Sequence, residues 1–177
     1  MSQIAMLLPV RPRAETSAGA LRFRRADERD DEAIASLLDV AFADPAWTTE
    51  RAHSDLTGAE DVLAVYVLER DGRLVATASA RHEQKRFPGL GYVHWVGVAP
   101  SERGRGFGRD AVERVDAHLI AEGLWPIILE TDDDRLPAIS TYLGLGFIPH
   151  YIDDDHEERW SHVFAALSEA RKSRGDR

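Results

Sequence analysis

The chain has 177 residues, 44% hydrophobic and 30% charged, with a net charge of −9 and no cysteine. This suits one domain with its own core and excludes disulfides and a thiol nucleophile. The acidic balance argues against general nucleic-acid binding and mildly favours a cationic partner, although solubility alone is the plainer reading.

Residues 1–19 read as a flexible extension, 20–172 as a single domain and 173–177 as a tail. The apolar residues 4–10 are too few for a signal-peptide core and lack a basic stretch before them. No run approaches the ~18 apolar residues of a membrane span, so a cytoplasmic protein without a membrane partner is expected. Residues 21–24 alternate and predict a short first strand. Asp27 then caps a helix with Ile34, Leu37, Leu38 and Ala41 on one face, ending near Asp44-Pro45. A shorter helix is expected over 48–56, with Gly58 just past its end. Residues 61–69 and 74–81 predict a hairpin about Asp71-Gly72, and 92–98 a buried strand.

Beyond residue 103, Ala111, Val112, Val115 and Leu119 mark a helix face, and Gly123 ends that helix. Ile127-Ile128-Leu129 is too short for a helix, so 126–130 predicts another buried strand. A helix over 136–143, closed by Gly144 or Gly146, and a strand over 147–152 follow. Trp160, Val163, Phe164 and Leu167 stand at i, i+3, i+4 and i+7, which predicts a helix over 157–170. A hairpin followed by β-α-β-α-β predicts an α/β domain, with a mixed central sheet flanked by helices.

The most informative stretch is Arg103-Gly104-Arg105-Gly106-Phe107-Gly108, between the strand at 92–98 and a helix start. Glycines allow close backbone approach, helix-start N–H groups point at an anion, and Arg103, Arg105 and Arg109 add forked donors. A pyrophosphate-bearing ligand is expected. The Walker A loop fails, because the chain has no Gly-Lys pair. The dinucleotide fingerprint gains some support from Glu130 at the end of the next apolar run. It meets Arg109 where its third glycine should stand, and five residues (99–103) separate Val98 from Gly104. A third pattern, Arg/Gln-x-x-Gly-x-Gly/Ala, fits Arg103, Gly106 and Gly108. A second stretch, Ala138 to Phe147, fits Ala-x-x-x-Tyr-x-x-x-Gly-Phe at Ala138, Tyr142, Gly146 and Phe147. In these two motifs, within residues 90–150, the chain resembles the GNAT superfamily of N-acetyltransferases.

That resemblance implies the acyl-CoA N-acyltransferase fold and direct transfer of an acetyl group from acetyl-CoA to an amine, without a covalent enzyme intermediate. It places pyrophosphate on Arg103, Gly104, Arg105, Gly106, Phe107, Gly108 and Arg109. It places pantetheine and the oxyanion against the strand N–H groups of Val96, Gly97 and Val98, although Gly97 is also a packing candidate. Tyr142 matches the leaving-group tyrosine, with a core tyrosine as the alternative. His94 shares a strand face with Tyr92, Val96 and Val98 and is the candidate base, with a buried structural histidine as the alternative. Arg135 stands where the family often has Asn, and so is a candidate CoA contact or a surface residue. Substrate contacts are expected from 42–49 and 81–90, with Trp47 and Tyr92 named, although Trp47 could equally staple two helices. Asp132, Asp133 and Asp134 suit an ammonium or a solvated loop. Residues 153–158 look metal-friendly but lack an EF-hand's glycine turn and spacing. Helix capping is preferred there, and no metal is expected.

A C-terminal helix departs from the family's usual final hairpin. The acceptor stays open among a small amine, an amino acid and a peptide-like metabolite, with protein N-terminal or lysine acetylation as the nearest alternative. A non-catalytic acyl-CoA-binding module is the rival of another class, and a dinucleotide oxidoreductase fails at Arg109. Homodimers are common in the family.

Overall fold

The computed structural model describes residues 3–10 and 16–175. In chain order its strands and helices are β1 (Ile4–Leu8), β2 (Arg24–Arg25), α1 (Asp31–Phe42), α2 (Thr49–Ala52), β3 (Val62–Arg70), β4 (Arg73–Arg81), β5 (Gly91–Val98), α3 (Phe107–Ala121), β6 (Ile127–Thr131), α4 (Leu136–Leu145), β7 (Ile148–His150) and α5 (His156–Gly175). The seven strands form one sheet in the order β2-β3-β4-β5-β6-β1-β7. Only β5 and β6 run parallel among the described strands. This is the mixed α/β sheet expected from the sequence.

Strand alternation divides the apolar residues between two faces. Val65 and Val67 of β3 face α1 and α2, where Ile34, Leu38, Trp47 and Leu56 complete one core layer. Tyr66 and Leu68 of the same strand face α3, joining Phe107, Val112 and Leu119 in the larger layer. The helix ends follow local chemistry. Asp27 and Asp30 close a reciprocal capping box just before α1, and the Thr48 side chain accepts from the Arg51 N–H at the start of α2. A π-helical turn, His53–Thr57, continues α2 up to Gly58. Asp71 and Gly72 both have positive φ, the geometry of a tight hairpin turn. Gly146, at φ 97°, closes α4.

Three expectations are corrected. Residues 4–8 are no flexible extension: β1 lies between β6 and β7, and Ile4, Ala5 and Met6 are fully buried. Met1, Ser2 and residues 11–15 lie outside the described residues. The first strand expected at 21–24 is instead a 3-10 turn, Ala20–Arg22, followed by a two-residue strand pairing Arg24 and Arg25 with Val67 and Tyr66. The tail expected from 173 is helical to Gly175, because α5 outlasts its apolar stripe by several residues. That helix exists as its spacing requires: Trp160, Val163 and Leu167 bury against the face that carries Ile4, Met6 and Leu129.

The feature that positions the site is an opening between β5 and β6. Their pairing runs from Gly91↔Ile127 to Val93↔Leu129. Beyond it β5 bulges: Ser79 and Thr77 of β4 pair with His94 and Gly97, so β5 spends one extra residue there. Trp95 takes the bulge with φ 47°, a conformation costly for a bulky residue, on the order of 1–3 kcal/mol. Edge-on rings of Phe42 at 5.3 Å and Trp47 at 4.7 Å hold it.

Candidate functional site

A cleft of about 870 Å³ opens beside the bulge, walled by β5, the turn before α3, and α4. The turn carries Gly104 and Gly106 with φ of 78° and 85°, values that favour glycine. Between the Arg103 N–H, which bonds to Pro100, and the Asp110 N–H, which bonds to Gly106, no backbone N–H finds a backbone acceptor among the described residues. Residues 104–109 therefore present a run of free donors at the start of a 15-residue helix, an anion-binding geometry. Phe107 is buried in the core and anchors the turn from below. Arg103 donates to the Ala41 carbonyl at 2.9 Å, tying the turn to α1. Arg109 pairs with Glu113 at 3.0 Å and reaches the Gly144 carbonyl at 3.4 Å, linking α3 to α4.

Val96 and Val98 line the cleft. The Ala99 N–H donates to Val75 of β4. By strand alternation the Val98 and Val96 N–H groups face the other edge, toward the cleft. Gly97 does not line the cleft. It is buried, and a Cβ there would stand 3.0 Å from Leu38 Cδ2, so its role is close packing of α1 on β5. Arg105 also stays outside the cleft and pairs with Glu102 at 3.4 Å.

A second, narrower cavity of about 80 Å³ adjoins the first. Phe42, Val96, Arg135 and Tyr142 line both. Tyr142 is buried, and burial pushes its phenol up to about 12 while Arg135 pulls the other way. Its hydroxyl has no hydrogen-bond partner among the described residues. Arg135 lies over the Phe42 ring with its guanidinium carbon 4.3 Å from the centroid.

His94, Tyr92 and Glu130 line the narrow cavity. Burial, then the Arg81 guanidinium, push His94 down to about 3. Arg81 donates to His94 Nδ1 at 3.2 Å. The imidazole is thus held neutral with its acceptor nitrogen already used, which counts against the base role expected for it. Sheet register brings the pair together, since Arg81 sits opposite Tyr92. The Tyr92 hydroxyl donates to Glu130 Oε2 at 3.0 Å, and Arg86 holds Oε1 at 2.8 Å. Glu130, whose side chain is 5% exposed, is a carboxylate that sequence reasoning tied only to the discarded dinucleotide pattern.

Trp47 lines neither cavity. It sits buried behind Trp95, with Arg51 over its ring at 4.2 Å. The wall expected of it is supplied by Trp95 and Phe42. Asp132 and Asp134 flank the large cleft, whereas Asp133 pairs with Arg159 and braces α5. Asp153, Asp155 and His156 bring possible ligand atoms within 4.8 Å of one another at the start of α5, and none of the three lines either cavity. No helix among the described residues is long and apolar enough to cross a membrane.

Comparison with known proteins agrees with this geometry. Residues 23–147, well over half of the chain, match the model of the acetyltransferase (GNAT) family. A mycothiol acetyltransferase of Nocardioides sp. is 32% identical over 156 residues, covering 77% of this chain and 52% of its own. The chain spans about half the length of the curated relatives it matches. A crystal structure of a putative GNAT-family acetyltransferase from Novosphingobium aromaticivorans is 26% identical, with a TM-score of 0.63 over 83% of this chain and 59% of that one. AAC(6')-Iy, solved with the bisubstrate analogue CoA-S-monomethyl-acetylneamine, shares the fold, with a TM-score of 0.63 at 17% identity over 74% of this chain and 93% of its own. With its sheet opened at a bulge, its free N–H groups at the start of α3 and this family match, the chain belongs to the acetyltransferase (GNAT) family.

Proposed function

We propose that the protein transfers the acetyl group of acetyl-CoA directly to a primary amine of a small molecule. The observation that carries this reading is the pair of adjoining cavities sharing Phe42, Val96, Arg135 and Tyr142. The large cleft takes the donor: pyrophosphate on the N–H groups of 104–109, pantetheine along Val96 and Val98. The narrow cavity takes the amine arm, and its volume of about 80 Å³ suits a slender group. The names of mycothiol acetyltransferase relatives and the acetylneamine analogue of AAC(6')-Iy support a small acceptor.

In the reaction, the neutral amine attacks the thioester carbonyl. The Val96 N–H faces the oxyanion that forms. Glu130, directly or through the Tyr92 hydroxyl and water, accepts the amine proton. The C–S bond breaks, its electron pair passes to sulfur, and Tyr142 supplies the proton that completes the CoA thiol. His94 stays neutral throughout and orients the cavity wall through Arg81.

Mass spectrometry of products from a panel of small amines, amino sugars, amino acids, peptides and a lysine-rich protein tests the reading. Acetylated product confined to a small-molecule class supports it. Product only on protein, or none with any acceptor, overturns it.

A further inference from the structure

We propose that Arg135 serves the chemical step, compensating the negative charge that develops on the CoA sulfur as the C–S bond breaks. This rests on the acetyl-transfer reading above and deepens it. The reacting atoms must lie where donor and acceptor cavities meet, and Arg135 is one of four residues on that shared wall. Arg135 is half-buried, its guanidinium is held on the Phe42 ring, and Phe42 is itself locked edge-on against Trp95. No carboxylate pairs with it among the described residues. A cation that is fixed, partly desolvated and unneutralised acts on nearby charge far more strongly than one in water. Its field already reaches Tyr142, where it opposes the effect of burial.

A phosphate role for Arg135 is redundant, since the donors for pyrophosphate stand on the turn before α3. The step balances without another reagent. The amine nitrogen bonds to the acetyl carbon, the C–S pair moves to sulfur, Tyr142 protonates the thiolate, and solvent reprotonates the phenolate. Arg135 stabilises whichever of the two anions exists. The other charged or titratable groups around the junction are Tyr92 and His94 from β5, Glu130 from β6, Asp132 and Asp134 from the following loop, and Glu102, Arg103 and Arg109 beyond them.

Affinity for free CoA relative to acetyl-CoA, measured by calorimetry from about pH 7 to about pH 9, isolates the sulfur from the rest of the cofactor. A free thiol ionises near ~8.5, and a cation at the sulfur brings the bound thiol lower. In the wild type the CoA to acetyl-CoA affinity ratio is expected to rise about sixfold across this range, as for a shift of about one pKa unit. In Arg135→Gln the ratio stays within about twofold, Arg135→Lys recovers part of the rise, and acetyl-CoA affinity changes less than about threefold in both. A flat wild-type ratio, an equal rise in Arg135→Gln, or a loss of acetyl-CoA affinity beyond about tenfold in Arg135→Gln overturns the proposal, the last pointing to a phosphate contact. A flat wild-type profile overturns the proposal even if a variant fails to fold, and Arg135→Lys supplies a second, conservative comparison. Absence of any binding by the wild type is a separate outcome, which overturns the reading of the cleft and this inference with it.

Discussion

Gly106 is where the donor cradle is most exposed to test. It holds φ 85°, and a Cβ built there meets nothing within 4 Å, so no protein atom blocks a side chain. Alanine at this position incurs only the left-handed strain, about 1–2 kcal/mol, or roughly 2–8 °C in Tm for a domain of this size. Glutamate adds a charge beside the proposed pyrophosphate. One like-charge pair at about 4–5 Å and an effective dielectric of about 20 costs ~3–4 kcal/mol. That equals a loss of at least about 300- to 1000-fold in CoA affinity. Thermal unfolding and calorimetric titration with CoA separate the two effects. The expected pattern is a similar Tm for both variants, with near-complete loss of binding only in Gly106→Glu. If Gly106→Glu binds CoA within about threefold of the wild type, pyrophosphate does not rest on this turn and the argument from the free N–H groups fails.

The catalytic assignments make three further predictions. Tyr142→Phe should keep acetyl-CoA affinity and lower turnover about 10²- to 10⁴-fold; unchanged turnover across pH removes the acid role. Glu130→Gln should lower turnover by a similar factor, and His94→Asn by less than about tenfold; the reverse order in steady-state assays would restore His94 as the base. His94 also bears on stability. Its folded pKa is pushed from 6.5 down to about 3, so between those values the unfolded chain takes up the proton and the folded one does not. Stability conferred by the neutral ring is therefore full above about pH 6.5 and falls as pH drops, by up to ~1.4 kcal/mol per pH unit. Denaturant titrations at several pH values should show that slope reduced in His94→Asn; parallel profiles would contradict it.

Much of the fold was legible in local pattern. The capping at Asp27, the Asp71-Gly72 turn, the α5 stripe and the Gly-rich turn each carry their signal within a few residues. What escaped depends on partners distant in sequence. Five apolar residues at 4–8 form a strand because β6 and β7 flank them, and nothing within the run names those partners. Trp47 reads from the sequence equally as an apolar wall or a buried staple; it is buried, because the bulge that sets Trp95 in front of it arises from a register shift against β4. His94 looked like a base in isolation. The sheet buries it and sets Arg81 against it from 13 residues away, and burial first, then that cation, lower its proton affinity. Glu130 gains its significance only once Tyr92 and Arg86 converge on it across 38 and 44 residues.

In the proposed reaction, acetyl-CoA and amine occupy adjoining cavities at the same time and react across the wall they share. Initial rates of free-thiol release over a grid of acetyl-CoA and amine concentrations test it most directly. Release should require the amine, and double-reciprocal lines should intersect, the pattern of a ternary complex. Parallel lines, or a burst of thiol before amine is added, would mean an acetyl-enzyme intermediate and would contradict direct transfer at the junction of the two cavities.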